Sequence, residues 1–241
     1  MGLYLTIDQG NSSVKLAFWD GTKLVDQEIL KELTHQHLAK TVEKFQPRRA
    51  LCCSVTGNGK LYAQWLNEMN VEADEVSLDM PLPLKFEYTT PTTLGADRIA
   101  AAAGAWSLFP GCNILVVDMG TAVTYDFVCG EGRFVGGNIA PGIGMRLRSL
   151  HSFTARLPQV SGYGETTLLG HDTATAMRSG AVLGVVAEIC YYRSQLPSDT
   201  RIVLTGGWSN HVRSFLPFDS TVDKCLVTKG LLSILLNNEN K

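Results

Sequence analysis

Two short segments carry residue types suited to handling phosphate. In the first, Ile7-Asp8-Gln9-Gly10-Asn11-Ser12-Ser13-Val14-Lys15, a carboxylate closes an apolar run and is followed by a glycine, amide and hydroxyl side chains, and a lysine. Glycine lets the backbone approach a ligand closely. Exposed N–H groups and hydroxyls donate to phosphate oxygens. Asp8 cannot bind a phosphate directly, so it should hold a cation or the cation's waters. Lys15 would reach the phosphates as a point charge. A single Asp-x-Gly is also an ordinary turn, but here a second copy, Val117-Asp118-Met119-Gly120-Thr121-Ala122, lies over the first at an ungapped offset of 110 residues.

The repeat extends beyond the turns. Each copy is preceded by an apolar strand (Leu3 to Ile7, Ile114 to Val117) and followed by a second (Val14 to Trp19, Val123 to Val128). Each then turns at a glycine, Gly21 or Gly132, into a third strand. Helices and strands alternate in the remainder. Thr34 caps a helix running to Phe45, stopped by Pro47. Ala50 to Val55 reads as a buried strand, and Leu61 to Met69, Ala96 to Leu108, Thr173 to Gln195 and Lys229 to Leu236 read as helices. Arg201 to Leu204 reads as a strand. The pattern predicts two mixed-sheet α/β domains, residues 1–112 and 113–241, with a cleft between them and the boundary at Pro110-Gly111.

Other constellations belong to the same reading. Thr205-Gly206-Gly207 after its strand is a third glycine turn, fitting the adenosine side of such a cleft. Thr93-Leu94-Gly95-Ala96-Asp97-Arg98 opens the Ala-rich helix, where free N–H groups and the helix dipole favour an anion. There Arg98 offers a fork for a carboxylate, and Asp97 could take a proton from a hydroxyl. Alternatively, Asp97 is simply favourable near a helix start and pairs with Arg98. Gly136 to Gly142 holds too many glycines for a simple connection and reads as a loop approaching a ligand. Arg146, Arg148 and Arg156 read as a solvated helix face.

Composition narrows the field. The chain has 241 residues, a formal charge of −2 and 45% hydrophobic residues, as expected of a folded globular protein rather than a nucleic-acid binder. No apolar run is long enough for a membrane span, and the N-terminus lacks the basic start of a signal peptide. The six cysteines include no C-x-x-C pair and read as reduced core thiols, and the histidines show no zinc spacing. Gly57-Asn58-Gly59-Lys60 lacks the spacing of a P-loop, and no dinucleotide fingerprint or G-x-S-x-G elbow is present.

On Asp8 to Lys15, the string Tyr88 to Arg98, Asp118 to Ala122, Gly136 to Gly142, and Gly170-His171-Asp172-Thr173 into Ser179-Gly180, the chain resembles the type III pantothenate kinases. The resemblance implies a duplicated ribonuclease H-like, actin-like ATPase fold. It implies that Asp8, Gln9, Gly10, Asn11, Ser12, Ser13, Val14 and Lys15 bind the phosphates of ATP with Mg²⁺, and that Thr121 touches the nucleotide. Asp118 would hold a monovalent cation, potassium or ammonium. Tyr88, Gly95, Ala96, Asp97 and Arg98 would form the pantothenate site, with Asp97 as general base and Thr173 contributing across a homodimer interface. The implied reaction is phosphorylation of the primary hydroxyl of pantothenate, the first step of coenzyme A synthesis. Ser12 stands where the family usually has threonine, which keeps the hydroxyl. Competing expectations are another small-molecule kinase on this fold and a non-catalytic ATP-binding regulator.

Overall fold

A computed structural model describes residues 2–239. In chain order the elements of the first half are β1 (Tyr4–Gln9), β2 (Val14–Asp20), β3 (Lys23–Leu30), α1 (His35–Phe45), β4 (Arg49–Ser54), α2 (Gly59–Glu68), β5 (Glu72–Glu75), β6 (Lys85–Phe86) and, after a single 3₁₀ turn at Pro91–Thr93, α3 (Ala96–Leu108). The second half comprises β7 (Ile114–Met119), β8 (Ala122–Cys129), β9 (Arg133–Pro141), α4 (Ile143–Ser152), α5 (Thr173–Gln195), β10 (Arg201–Thr205), α6 (Ser209–Arg213), β11 (Thr221–Val222) and α7 (Leu226–Glu239).

The sequence repeat is a repeat of topology. Tyr4 and Ile114 open β1 and β7, and Gln9 and Met119 close them, both pairs 110 residues apart. The first sheet runs β3-β2-β1-β4-β5. The second runs β9-β8-β7-β10-β11, the same order, with β6 added beside β9. In each, the first strand pairs antiparallel with the hairpin strand after it and parallel with a later one.

Local chemistry sets the boundaries. Thr34 caps α1 by accepting the His37 N–H, and Gln46 closes it in the left-handed region with φ 46° before Pro47. Gly21 and Gly132 turn the chain after β2 and β8 with φ of 55° and 75°, a conformation that costs other residues more. Asp172 caps α5 in a reciprocal capping box with Thr175.

The compact units do not divide at residue 112. Unit 1 takes the described residues up to Gly111, Glu131–Val135, and those from Cys225 on, while unit 2 takes Cys112–Gly130 and Gly136–Lys224. The expected second domain, 113–241, therefore gives up its final helix. In unit 1, α7 packs on α3 at glycines. A Cβ on Gly230 would collide with the Ala100 carbonyl oxygen, and one on Gly104 with the Leu226 carbonyl oxygen. The alanines of α3 serve the same contact: every residue from Arg98 to Ala105 is buried, so this helix has no solvent face over that stretch. The rest of unit 1's core lies on the first sheet, around Leu5, Ile7, Leu16, Phe18, Leu38 and Leu66. Unit 2 has its own core, around Leu115, Val117, Ile143, Val182, Val185 and Leu204.

Backbone contact between α3 and α7 leaves no room for growth. Gly230→Ala should cost about 2 kcal/mol through overpacking, read as a shift in the denaturant midpoint. Gly180→Ala, in α5 where a Cβ meets nothing, should leave stability unchanged or raise it through helix propensity.

Candidate functional site

Unit 1 gathers most of the expected residues. Gly10 N–H donates to the Ser13 carbonyl at 3.0 Å, closing the tight turn between β1 and β2. That turn sets the register that places Asp8 opposite Lys15, on one face of the hairpin. The Lys15 ammonium lies 3.6 Å from the Asp8 carboxylate. Asn11 and Ser12 are exposed at the tip. Val14 is buried in the core, so only its backbone is available to a ligand. The Gln9 side-chain oxygen accepts from the Ser54 hydroxyl at 2.7 Å, which ties the hairpin to the end of β4.

Asp8 is 7% exposed. Burial raises its pKa above 3.8; Lys15 opposes this, and the nearby charge of Asp97 adds to it. On the parallel neighbour β4, Cys53 stands in register with Asp8. Its thiol is held well above its ordinary pKa, first by burial and then by Asp8 and Asp97. Asp8, Cys53 and Asp97 thus share one low-dielectric neighbourhood. This thiol is inert rather than nucleophilic.

Asp97 is the second residue of α3. Its carboxylate accepts the Arg98 N–H at 2.9 Å, and Gly95, lacking a Cβ, leaves room for that oxygen. Burial nevertheless dominates and raises its pKa, against the pull of the backbone N–H and of the Arg98 charge. Arg98 is 5% exposed, with its guanidinium 5.6 Å from the Tyr88 ring centre and 5.7 Å from that of Phe134. The two rings meet edge to face. The sequence reading places Phe134 only in the strand after Gly132, with no part in this site. The short β6 brings Tyr88 to it: Lys85 and Phe86 pair with Arg133 and Phe134, and Arg133 binds both Glu87 oxygens at 2.9 Å.

Unit 2 holds the second hairpin. Asp118 stands opposite Thr124, so the lysine of the first copy has no counterpart there. Gly206, at φ 85°, passes so close that a Cβ would strike the Asp118 carboxylate and the Met119 backbone. The glycine turn after β10 is therefore built against Asp118. Thr121 is half-buried, and its carbonyl accepts the Gly142 N–H at 3.1 Å. Residues 136–141, expected as a loop, are instead strand within β9. The glycine whose small size is used is Gly142, where a Cβ would collide with the carbonyls of Gly120 and Thr121. Thr173 is exposed at the start of α5. The expected solvated arginine face is also corrected: Arg148 and Arg156 are exposed, but Arg146 binds Glu188 and the Pro141 carbonyl.

The donor set suits ATP. The Gly10–Ser13 turn offers backbone and hydroxyl donors beside a lysine. Among the described residues no three metal-binding side chains cluster, so a divalent ion would rest on Asp8 and substrate oxygens, as suits magnesium rather than an all-protein cage.

Two repeated sheets with paired hairpins make this the actin-like ATPase and sugar-kinase fold. Solved structures support that assignment of fold. A Campylobacter jejuni protein described as a Baf family transcriptional activator matches with TM-score 0.66 and 23% identity, covering 98% of this chain and 100% of that one. The activator of 2-hydroxyisocaproyl-CoA dehydratase from Clostridium difficile, solved with ADPNP, matches with TM-score 0.57 and 11% identity, covering 98% and 95%. Within that fold the chain belongs to the type III pantothenate kinase family, whose model matches residues 4–195. The type III pantothenate kinase of Azobacteroides pseudotrichonymphae is 38% identical over 97% of this chain and 96% of its own, and that of Bacteroides fragilis 37% identical over 98% and 99%.

The burial of Asp97 has a measurable consequence. Its raised pKa means that the folded state holds the proton more tightly than the unfolded state. The cost of ionising it is absent below the ordinary value of 3.8 and is fully present above the raised one. Asp97→Asn should therefore unfold at a higher temperature than the parent at neutral pH, with the gap closing on acidification.

Proposed function

We propose that this chain is a pantothenate kinase, transferring the γ-phosphoryl group of ATP to the primary hydroxyl of pantothenate and so opening coenzyme A synthesis. The observation that carries this reading is Asp97, a half-buried carboxylate with raised proton affinity at the head of α3, in the same low-dielectric neighbourhood as the phosphate-binding hairpin. Phosphoryl transfer asks a protein mainly for positioning and charge neutralisation. Asp97 takes the hydroxyl proton as the oxygen attacks phosphorus. Its raised pKa makes it a better base than an exposed aspartate. Arg98, stiffened between Tyr88 and Phe134, presents its fork to the pantothenate carboxylate. The Gly10–Ser13 turn and Lys15 hold the triphosphate.

Asp8 would hold magnesium, which when bound neutralises charge on the phosphates. Asp118, beside the glycine turn at Gly206, would hold a potassium or ammonium ion, and Thr121 would meet the nucleotide. The protein would act as a cytoplasmic homodimer, with Thr173 reaching the partner's pantothenate. Phe153, Leu168 and Leu169, each more than four-fifths exposed around the approach to α5, are suited to burial against a second copy.

An ATP-consumption assay with pantothenate, with and without potassium, tests the assignment. Turnover is expected with pantothenate and not with sugars or acetate, whereas ATP binding without turnover would mark a regulator. Asp97→Asn should keep ATP binding and lower kcat by at least about a hundredfold. Near-full turnover in that variant would remove Asp97 from the mechanism. Arg98→Ala should raise KM for pantothenate by about tenfold or more, as loss of a charged hydrogen bond does. An unchanged KM would move the carboxylate contact elsewhere.

A further inference from the structure

Arg146 lies outside the motifs to which a role has been assigned, yet the structure spends an unusual amount on it. It sits one turn into α4, where its own N–H makes the first helical bond, to the Gly142 carbonyl at 2.8 Å. Its side chain turns back. Nε donates to the Pro141 carbonyl at 2.7 Å, and a terminal nitrogen reaches both Glu188 oxygens at 2.6 Å. Tyr125, 2% exposed, donates its hydroxyl to the same carboxylate. The tyrosine's pKa is raised, by burial first and by Glu188 next, which keeps it a donor. Opposite the guanidinium, α5 carries Gly184, where a Cβ would press on Arg146. Glycine inside a helix is less favourable than alanine, so that helix gives up stability where the arginine passes.

These contacts close a ring within unit 2. From Thr121 the chain runs along β8 to Tyr125, which binds Glu188 on α5. Glu188 binds Arg146, Arg146 binds the Pro141 carbonyl, and the adjoining Gly142 returns to the Thr121 carbonyl. The Asp118–Thr121 turn is thereby braced along its own strand and across its tip, where Gly142 lies against Gly120 and Thr121 with no room for a Cβ. α4 has no side-chain cap, so this brace fixes its entry in place of one.

We infer that Arg146, held by the Glu188 carboxylate that Tyr125 also binds, is a positioning residue for the nucleotide, setting the Gly120–Thr121 turn through Pro141 and Gly142. The inference rests on the reading of this hairpin as nucleotide-binding. A single ammonium satisfies Glu188 but does not reproduce the planar fork that binds Glu188 and the Pro141 carbonyl together. Lysine at this position therefore keeps the ion pair and the fold while releasing the turn.

The test is Arg146→Lys beside Arg146→Gln, with ATP affinity by calorimetry, both KM values, kcat and the thermal midpoint. Arg146→Lys is expected to keep its midpoint, to bind ATP about tenfold more weakly as a misplaced turn would, to raise KM for ATP in step, and to leave KM for pantothenate unchanged. Parental ATP affinity in a folded Arg146→Lys protein overturns the inference. So does a loss confined to Arg146→Gln that tracks its midpoint, since that marks a purely structural residue. A parent that binds ATP without phosphorylating pantothenate sinks the kinase assignment, yet the lysine variant's affinity still decides the positioning role. A parent that fails to bind ATP sinks both.

Discussion

Unit 1 is organised around two carboxylates held at the edge of its core. Asp8 and Asp97 are withdrawn from water into one neighbourhood, over the thiol of Cys53, with Lys15 pairing Asp8. Buried carboxylates are costly unless paired, and the fold tolerates the cost because each is built into an element that cannot let go. Asp8 is part of a fully paired central strand. Asp97 sits in the first turn of a helix whose next turns are buried on every side. On the proposed function, a cation with its phosphates would offset the charge of Asp8, and Asp97 would accept the proton that the alcohol releases as it is phosphorylated.

The same logic explains the aromatic clamp. Arg98 is more buried than either carboxylate, and its charge faces two aromatic rings rather than being left to water. The rings come from distant parts of the chain, joined by the two-residue strand β6 and the Glu87–Arg133 pair. Small elements here do positioning that larger ones cannot.

Much of this was legible in the residues. The repeat could be read because Asp8 and Asp118 lie at one offset and the same two strands and turn follow each, and a strand's period survives translation without knowledge of its partners. The ends of α1 and α3 were marked by Thr34, Pro47 and Pro110. What escaped was non-local or short. β5, β6 and β11 are two to four residues long and owe their existence to a neighbouring strand. Residues 136–141 carry glycines that resist strand assignment, yet the edge beside β8 recruits them. Phe134 looked like any core aromatic, since its meeting with Arg98 is a tertiary event. Arg146 read as solvated because Glu188 lies far along the chain. Membership of α7 in unit 1 was hidden for the same reason: Gly104 and Gly230 announce close packing but not with whom.

That last arrangement bears on how the protein is made. The ribosome delivers the first sheet early, and α3 rests partly on β4, but its main partner is absent until Leu226 and its successors emerge. While unit 2 is being translated, the face of α3 that meets α7 lacks its cover, the sort of surface that holdase chaperones grip. Completion of the older unit is thus deferred to the youngest helix, and the polypeptide reaches its finished state by reaching back.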